Sequence, residues 1–206
     1  TNDSGVSISI NEEISNVIDS MHGLPSDSVR CITENSDGTF YIGTTDALAV
    51  VSLSGGLAVT DMIPEITYAR SLSADQEGHV AAVTDEGGLY LLRNGEIIAQ
   101  WEKRPMQAAY SCCMFDQSGK LYVGRTDNVI EVYEPSGKIW KNTQVIKCGS
   151  LSNIKSLKRS EDGEIFICAD NGAGYLNAKN VYQDINTNKF NSSIDHMLID
   201  YQGNLW

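Results

Sequence analysis

Short runs of hydrophobic residues alternate with polar, glycine-containing turns along most of the chain. The runs at residues 40–42, 121–123 and 165–167 are β-branched, aromatic or aliphatic, which is typical of buried strands. The polar turn before each run ends in glycine, which reaches the positive φ of a tight turn without steric cost. The pattern therefore predicts a chain of β-hairpins.

Five of these hairpins align on their turn glycines at a nearly constant period. The glycines are Gly38, Gly78, Gly119, Gly163 and Gly203, and successive ones lie 40, 41, 44 and 40 residues apart. A second turn is expected in each full unit, at residues 54–56, 94–95, 136–137 and 179–180. Four short strands in a period of about 40–45 residues are typical of a propeller blade. The sequence therefore predicts an all-β protein, a β-propeller of four-stranded antiparallel blades with about five blades' worth of chain.

The same repeat predicts the limits of each blade. Full blades are expected at residues 24–64, 65–105, 106–149 and 150–190, with outer strands of another blade at 5–22 and inner strands of a last blade at 191–206. Ile10, Ile14 and Val17 are spaced as on one face of a helix, so a helix is an alternative for residues 5–18. The alternation of apolar and polar residues at 6–10 favours strands. The two partial blades either close a five-bladed ring or belong to an arc of a larger propeller.

Residues 23–44 resemble the two-component regulator propeller repeat. They contain Gly23-Leu24-Pro25, Asp37-Gly38 and Tyr41-Ile42-Gly43-Thr44, close to that family's usual G-L-P, D-x-x-G and W-I-G-T. Residues 200–206 are a second close match, and weaker similarity extends over nearly the whole chain. Propellers of this family are typically seven-bladed. They form the extracytoplasmic sensing part of membrane-anchored histidine kinases, hybrid two-component regulators or diguanylate cyclases.

The resemblance implies a sensor function for this chain. It would be a non-enzymatic, ligand-binding segment of a bacterial signal receptor, located outside the cytoplasm in a membrane-anchored protein. The resemblance implies a small-molecule or oligosaccharide ligand, and it is compatible with a homodimer formed through the receptor. An effector domain such as a kinase or a cyclase would lie outside this chain.

Charge and composition exclude several other classes of partner. Fifteen Lys and Arg against 27 Asp and Glu give a net charge of −12, so the chain lacks the basic surface that nucleic acid requires. No apolar stretch approaches the roughly 18–20 residues that cross a bilayer, so no direct membrane insertion of this segment is expected. The five cysteines contain no C-x-x-C pair, and we expect most to be buried thiols, with no metal and no cofactor.

A polar residue stands eight positions before each turn glycine, in a strand that is otherwise rich in apolar residues. The innermost strand of a propeller blade lines the central channel, so this column predicts a ring of polar side chains at the channel mouth. The loop between the second and third strands opens on the same face. The candidate ligand-binding residues are Arg30, Arg70, Ser111, Arg125, Lys155, Asp195 and His196. The alternative is a solvated channel lining in which Arg and Lys balance the surplus of carboxylates.

Catalytic motifs are absent from the sequence. There is no H-E-x-x-H and no G-x-S-x-G, and the glycines at 55–56, 87–88 and 172–174 are predicted to be turns between strands. Two other functions remain open. One is a metal-dependent lactonase or lyase, for which Asp195 and His196 would be ligands but the Arg, Lys and Ser elsewhere in the column make a poor cage. The other is a pure protein-interaction scaffold.

Overall fold

The computed structural model of the protein describes residues 4–10, 13–54, 57–102, 106–186, 192–200, 202 and 204–206. These residues form one two-stranded and four four-stranded antiparallel sheets, which confirms the predicted all-β class and the four-stranded blades. The chain divides into two compact units, Thr1–Trp101 and Glu102–Trp206, and each is described by itself.

The first unit contains three sheets, and the strands of each pair in the order of the sequence. The two-stranded sheet is formed by β1 (Val6–Ile10) and β2 (Glu13–Ile18). The first four-stranded blade contains β3 (Val29–Glu34), β4 (Phe40–Thr44), β5 (Leu48–Ser52) and β6 (Ala58–Ile63). The second contains β7 (Ala69–Ala74), β8 (His79–Thr84), β9 (Leu89–Arg93) and β10 (Glu96–Trp101).

The second unit contains two four-stranded blades of the same topology. The first is formed by β11 (Tyr110–Phe115), β12 (Leu121–Arg125), β13 (Val129–Ser136) and β14 (Ile139–Lys147). The second is formed by β15 (Ile154–Arg159), β16 (Ile165–Ala169), β17 (Gly172–Leu176) and β18 (Tyr182–Asp184).

The turn between the first two strands has the same hydrogen bonds in every repeat. The N–H of the residue three before the turn glycine donates to the carbonyl of the residue four positions later, at 2.8–3.0 Å. Where the first of these residues is aspartate, as at Asp75, Asp116 and Asp200, its carboxylate also accepts from the N–H groups two and four positions on. The side chain thereby stabilises the turn that the glycine makes sterically accessible.

Each junction between neighbouring blades within a unit is a packed apolar layer. In the first unit Tyr41 and Leu48 pack with Ile66, Val80 and other residues of the following blade. In the second unit the corresponding layer joins residues of β11 and β12 to residues of β15 and β16. Burial of these side chains is the main favourable term that holds blade to blade.

Two strand glycines allow neighbouring blades to approach closely. A Cβ on Gly43 would lie 2.6 Å from Cys31 Sγ and 2.8 Å from Ala69 Cβ, the latter on the next blade. In the second unit a Cβ on Gly124 would meet Cys112 Sγ and Ile154 Cγ2 at the same two distances. Each of these glycines therefore makes room for the first strand of the following blade.

The N-terminal segment is a β-hairpin and not a helix. Strands β1 and β2 pair in antiparallel register, but they end at Ile18. Residues 20–22, expected within the outer strands, instead form a single 3₁₀ turn. The cause is local. The carboxylate of Asp19 accepts a hydrogen bond from the N–H of His22, and Gly23 ends the turn in the left-handed conformation.

Two further expectations differ from the structure. Gly172 and Gly174 lie within β17 and not in a turn. Residue 174 is glycine for a packing reason, because the ring of Tyr182 occupies the space that a side chain there would need. The inner strands expected at 191–206 are reduced, in the described part of that segment, to a bridge between Ile199 and Leu205. Leu198 and Trp206 are 67% and 76% exposed, so little apolar packing extends this pairing into full strands.

Candidate functional site

The polar residue eight positions before the turn glycine has the same backbone setting in each four-stranded blade. The pairing of β3 with β4 skips Arg30, and the equivalent pairings in the other blades skip Arg70, Ser111 and Lys155. Each is therefore the extra residue of a β-bulge. Bulges re-aim side chains and are frequent beside functional sites. The bulge explains how a polar side chain is accommodated in a strand whose neighbours are packed.

In the first unit, Arg30 and Arg70 converge on one carboxylate. Arg30 Nη2 lies 2.5 Å from Asp85 Oδ2, and Arg70 Nε lies 3.8 Å from Asp85 Oδ1. Arg30 Nε also donates to the carbonyl of Ala69 at 3.3 Å. Arg30 belongs to the first blade and Asp85 to the loop between β8 and β9 of the second. The cluster therefore spans two blades.

Tyr68 completes this cluster with a half-exposed aromatic side chain. The Arg30 guanidinium carbon lies 5.7 Å from the centre of the Tyr68 ring, within the range of a cation–π contact. The Tyr68 carbonyl accepts from the N–H of Asp85 at 3.1 Å, and the side chain is 47% exposed. Its φ of +49° is sterically costly for a bulky residue, and strained residues of this kind concentrate at functional sites. We name Arg30, Arg70, Asp85 and Tyr68 the arginine cluster.

In the second unit, Lys155 and Asp195 form a separate polar cluster. Lys155 Nζ lies 2.6 Å from Asp195 Oδ1 and 2.9 Å from Asp170 Oδ1. The hydrogen bonds to Asp195 and Asp170 raise the pKa of Lys155. The pKa of Asp170 is lowered by hydrogen bonds from Asn153 and Lys155, and the pKa of Asp195 is lowered by Lys155. His196 is exposed and follows Asp195 directly.

Arg125 is held inside its own blade. Its guanidinium pairs with Asp127 at 2.6 Å and with Glu131 at 2.8 Å. Burial lowers the pKa of Arg125, but the hydrogen bonds to these two carboxylates outweigh burial and raise it. Glu131 is buried and also accepts from Tyr133 Oη at 2.6 Å and from Asn142 Nδ2 at 3.0 Å. Through these ion pairs and hydrogen bonds, Arg125 holds β12 against β13.

Ser111 has a different environment from the other members of the column. It is 1% exposed, and its Oγ has no hydrogen-bond partner among the described residues. The structure thus brings together Arg30 with Arg70 and Lys155 with Asp195, and it places Ser111 and Arg125 in packed surroundings.

Two site residues were missed by the sequence analysis. Tyr68 and Asn153 both stand ten positions before a turn glycine, and both have φ near +50°. Each contacts the cluster of its own unit, Tyr68 through Arg30 and Asn153 through Asp170. An alignment of that column alone gives no signal, because Ser28, Ala109 and Ser193 stand at the same position in the other repeats.

Each of the four cations of the candidate set pairs with at least one carboxylate. Arg30 and Arg70 share Asp85, and the ion pairs of Arg125 and Lys155 are those described above. A site of this kind presents hydrogen-bond donors and acceptors side by side without a large net charge. Across the described residues, no group of three His, Cys, Asp or Glu is arranged to hold a metal ion.

A family comparison identifies the first full repeat. Residues 23–46 match the family model described as two component regulator propeller. The chain carries a two-component regulator propeller repeat. Arg30 lies within this matched repeat and is the only member of the candidate set that does. No curated protein matches the chain in sequence.

Solved structures similar to the chain share the propeller fold. The extracellular domain of a hybrid two-component system from B. thetaiotaomicron is 17% identical over 100% of this chain and 29% of that one, with a TM-score of 0.77. The virginiamycin B lyase of Staphylococcus aureus is 14% identical over 87% of this chain and 62% of that one, with a TM-score of 0.68. The β-propeller domain of Cps50 (Swd1) from Myceliophteria thermophila is 11% identical over 85% and 60%, with a TM-score of 0.67.

These likenesses establish the fold and no more. At such identities, sites on a shared fold diverge freely, so neither lyase chemistry nor a sensor role transfers by similarity alone. The chain spans less than two thirds of each of the three structures. None of the described helical residues forms a helix long and apolar enough to cross a membrane.

Proposed function

We propose that this chain is the ligand-sensing part of a bacterial signal receptor, that it lies outside the cytoplasm, and that it performs no catalysis itself. The regulator propeller repeat at residues 23–46 and the fold shared with the extracellular domain of a hybrid two-component system support this role. The observation that carries the proposal is the arginine cluster, in which two bulged arginines share one carboxylate beside an exposed, strained tyrosine.

The arginine cluster has the chemistry of a site for a neutral, hydroxyl-rich ligand such as an oligosaccharide. The guanidinium groups of Arg30 and Arg70 carry hydrogen-bond donors in a fixed planar geometry, and Asp85 is an acceptor that is bonded to Arg30. A sugar hydroxyl both donates and accepts, so it can bond to an arginine and to the carboxylate together. The face of Tyr68 offers an apolar surface for the C–H groups of a sugar ring.

Charge pairing favours such a ligand over an anion. Asp85 balances one of the two arginine charges, so a bound anion would have to lie close to this carboxylate, at an electrostatic cost. A neutral polyol adds hydrogen bonds without breaking the ion pair. The net charge of −12 adds long-range repulsion against anions.

Signalling would follow from the position of the arginine cluster between two blades. A ligand that contacts Arg30 on the first blade and Asp85 on the second favours the arrangement in which both are in place. Ligand binding thereby shifts the population of receptor conformations by its difference in affinity for them. The output domain would respond to that shift.

The test is calorimetric titration of the 206-residue protein with a panel of neutral and acidic oligosaccharides. We expect binding of a neutral oligosaccharide, weakened at least about tenfold in Arg30→Ala, because a hydrogen bond to a charged group contributes about 1.5–3 kcal/mol. Arg93→Ala is the matched control, since Arg93 is an exposed arginine of the same unit outside the cluster.

Other outcomes would overturn the proposal. No binding of any oligosaccharide, or an equal loss of affinity in Arg30→Ala and Arg93→Ala, would show that the arginine cluster does not recognise the ligand. A stoichiometric divalent metal in the purified protein together with turnover of a lactone would show an enzyme instead. Tight binding of a protein partner that Arg30→Ala leaves unchanged would show a scaffold.

A further inference from the structure

An open groove lies in the first unit between the outer strands of its two four-stranded blades. Residues 61–65, at the end of β6 and directly after it, form one side of the groove. Residues 95–97, in the turn before β10 and at the start of that strand, form the other. The groove encloses about 320 Å³. Both blades have all four strands, so the groove belongs to a complete blade junction. We name it the outer groove.

The equivalent junction in the second unit is closed by one side chain. Strand pairing places Tyr122 and Gln144 on one row of their blade. It places Tyr41 and Asp61 on the same row of the first blade. Asn180, in the outer turn of the following blade, accepts from Tyr122 Oη at 3.1 Å and donates from Nδ2 to Gln144 Oε1 at 3.1 Å. The Asn180 amide therefore fills the space between those two side chains.

In the first unit, the residue at the position of Asn180 is glycine. Gly95 has the same left-handed conformation, with a φ of +80° against +57° at Asn180, and its N–H donates to Tyr41 Oη at 3.1 Å. A Cβ on Gly95 would lie 3.5 Å from Asp61 Oδ2, which is an ordinary contact distance. Because Gly95 has no side chain, the outer groove is open and Asp61 lacks the amide donor that Gln144 has.

Unpaired carboxylates border the outer groove. Asp61, Glu65 and Glu96 are exposed, and none of them forms an ion pair within the described part of the chain. Arg93 stands opposite Glu96 in the strand register without pairing with it. The groove therefore offers several hydrogen-bond acceptors and negative charges to a partner.

The net negative charge of the protein belongs to the first unit. Residues 1–101 contain fifteen Asp and Glu against three Lys and Arg, whereas residues 102–206 contain twelve of each. Two of the three cations, Arg30 and Arg70, already pair with Asp85. The surroundings of the outer groove consequently attract a cationic partner at long range.

We propose that the outer groove binds a basic segment of a protein partner, and that an Arg or Lys side chain of this segment takes the place that Asn180 takes in the second unit. Its cationic end donates to Asp61, and its aliphatic stem lies along Met62, which is 51% exposed, and Ile97. Methionine adapts to partners of different shape, which suits peptide recognition. A protein segment is favoured over a small amine because the groove is open, whereas small-molecule sites enclose most of their ligand.

This interaction is additional to oligosaccharide sensing. The outer groove and the arginine cluster share no residue, so Arg30→Ala should leave the affinity for a basic segment unchanged. Because an open groove buries little of its partner, we expect binding much weaker than the tight binding that defines a scaffold.

Fluorescence anisotropy with a labelled heptapeptide of alternating glycine and arginine tests the proposal, in about 0.15 M salt to screen unspecific attraction. We expect saturable binding, and no binding of the same peptide with neutral citrulline in place of arginine. Gly95→Asn should weaken binding at least about tenfold, because its amide closes the groove without changing the net charge of the protein. Gly137→Asn is the matched control, since Gly137 has a φ of +67° in another outer turn and no atom lies within 4 Å of its Cβ position. Asparagine tolerates this conformation, so both variants are expected to fold, and circular dichroism verifies it.

A second pair of variants tests the carboxylate. Asp61→Asn should weaken binding at least about tenfold, because the hydrogen bond to a charged group is lost. Glu77→Gln is its control, since Glu77 is an exposed carboxylate of the same unit outside the groove. No saturable binding of the arginine peptide overturns the proposal. Equal losses in the variants and their controls also overturn it, because they show attraction to the acidic surface as a whole. Spermine binding as tightly as the peptide would show a small polyamine site and overturn the choice of a protein partner.

Discussion

Arg30 and Asp85 form an ion pair that joins two neighbouring blades of the first unit, with Nη2 and Oδ2 2.5 Å apart. Their side chains are 33% and 42% exposed, and pairs this open to solvent contribute about 0–1 kcal/mol to stability. The pair therefore does little to hold the blades together, which the apolar layer around Tyr41 and Val80 does instead. In the function proposed above, the role of the pair is to present a donor and an acceptor side by side.

Substitution of Tyr68 separates backbone strain from loss of the ring. Asparagine tolerates positive φ better than alanine, and both substitutions remove the aromatic face. We expect Tyr68→Asn to have a free energy of unfolding about 1 kcal/mol greater than Tyr68→Ala. Both should lose oligosaccharide affinity equally. Urea denaturation and calorimetry measure the two quantities, and equal stability of the variants would show that the position is not strained.

Adding a methyl group at Gly43 should disrupt the junction between the blades of the first unit. Its Cβ would lie 2.6 Å from Cys31 Sγ, so Gly43→Ala is expected to lower the free energy of unfolding by about 1–3 kcal/mol. Cys31→Ala in the same chain removes one of the two close contacts and should restore part of the loss. Urea denaturation of the single and double variants measures this, and additive losses would argue against a steric cause.

Removal of the buried carboxylate of Glu131 should be costly. Glu131→Gln leaves Arg125 without one of its two charged partners, and breaking a buried ion pair costs about 3 kcal/mol or more. Asp127→Asn is the control, because Asp127 is 38% exposed and water can replace its lost charge. We expect a much smaller loss of unfolding free energy in the control. Similar losses in chemical denaturation would show that burial does not distinguish the two pairs.

The Lys155 cluster should respond to acid. The pKa values of Asp170 and Asp195 lie below their ordinary value of 3.8, so their contribution to stability is complete above that value and is lost as the pH falls through the lowered values. The pKa of Lys155 is raised above 10.5, so its contribution is complete below that value and is lost at still higher pH. Carboxyl NMR titration should show the pKa of Asp195 rising in Lys155→Met, and an unchanged pKa would exclude the contact.

The fold was predictable because its signals are local and repeated. A turn glycine every 40–44 residues and an apolar run after it suffice to define a blade, and the turn hydrogen bonds at Asp75, Asp116 and Asp200 confirm this regularity. The same local rules misplaced Gly174, because its role depends on the ring of Tyr182 eight residues away and not on turn chemistry.

The candidate site was predictable only in part. The polar column gave Arg30, Arg70 and Lys155 as candidates, but the bulges that set their backbone positions depend on strand register, which residue types do not reveal. In sequence, Arg30 of the polar column and Arg125 of the loop after the second strand are both candidates for the same face. Only the packed surroundings show that Arg125 pairs with a buried glutamate of its own blade, whereas Arg30 pairs across to the next blade.

The most direct test of the account is NMR titration of the arginine Nε–H signals with the oligosaccharide that binds most tightly. We predict saturable shifts of the Arg30 and Arg70 signals, with the Arg93 and Arg125 signals unchanged. Shifts confined to other arginines, or no shift of Arg30 and Arg70 at saturating ligand, would contradict the assignment of the arginine cluster as the sensing site.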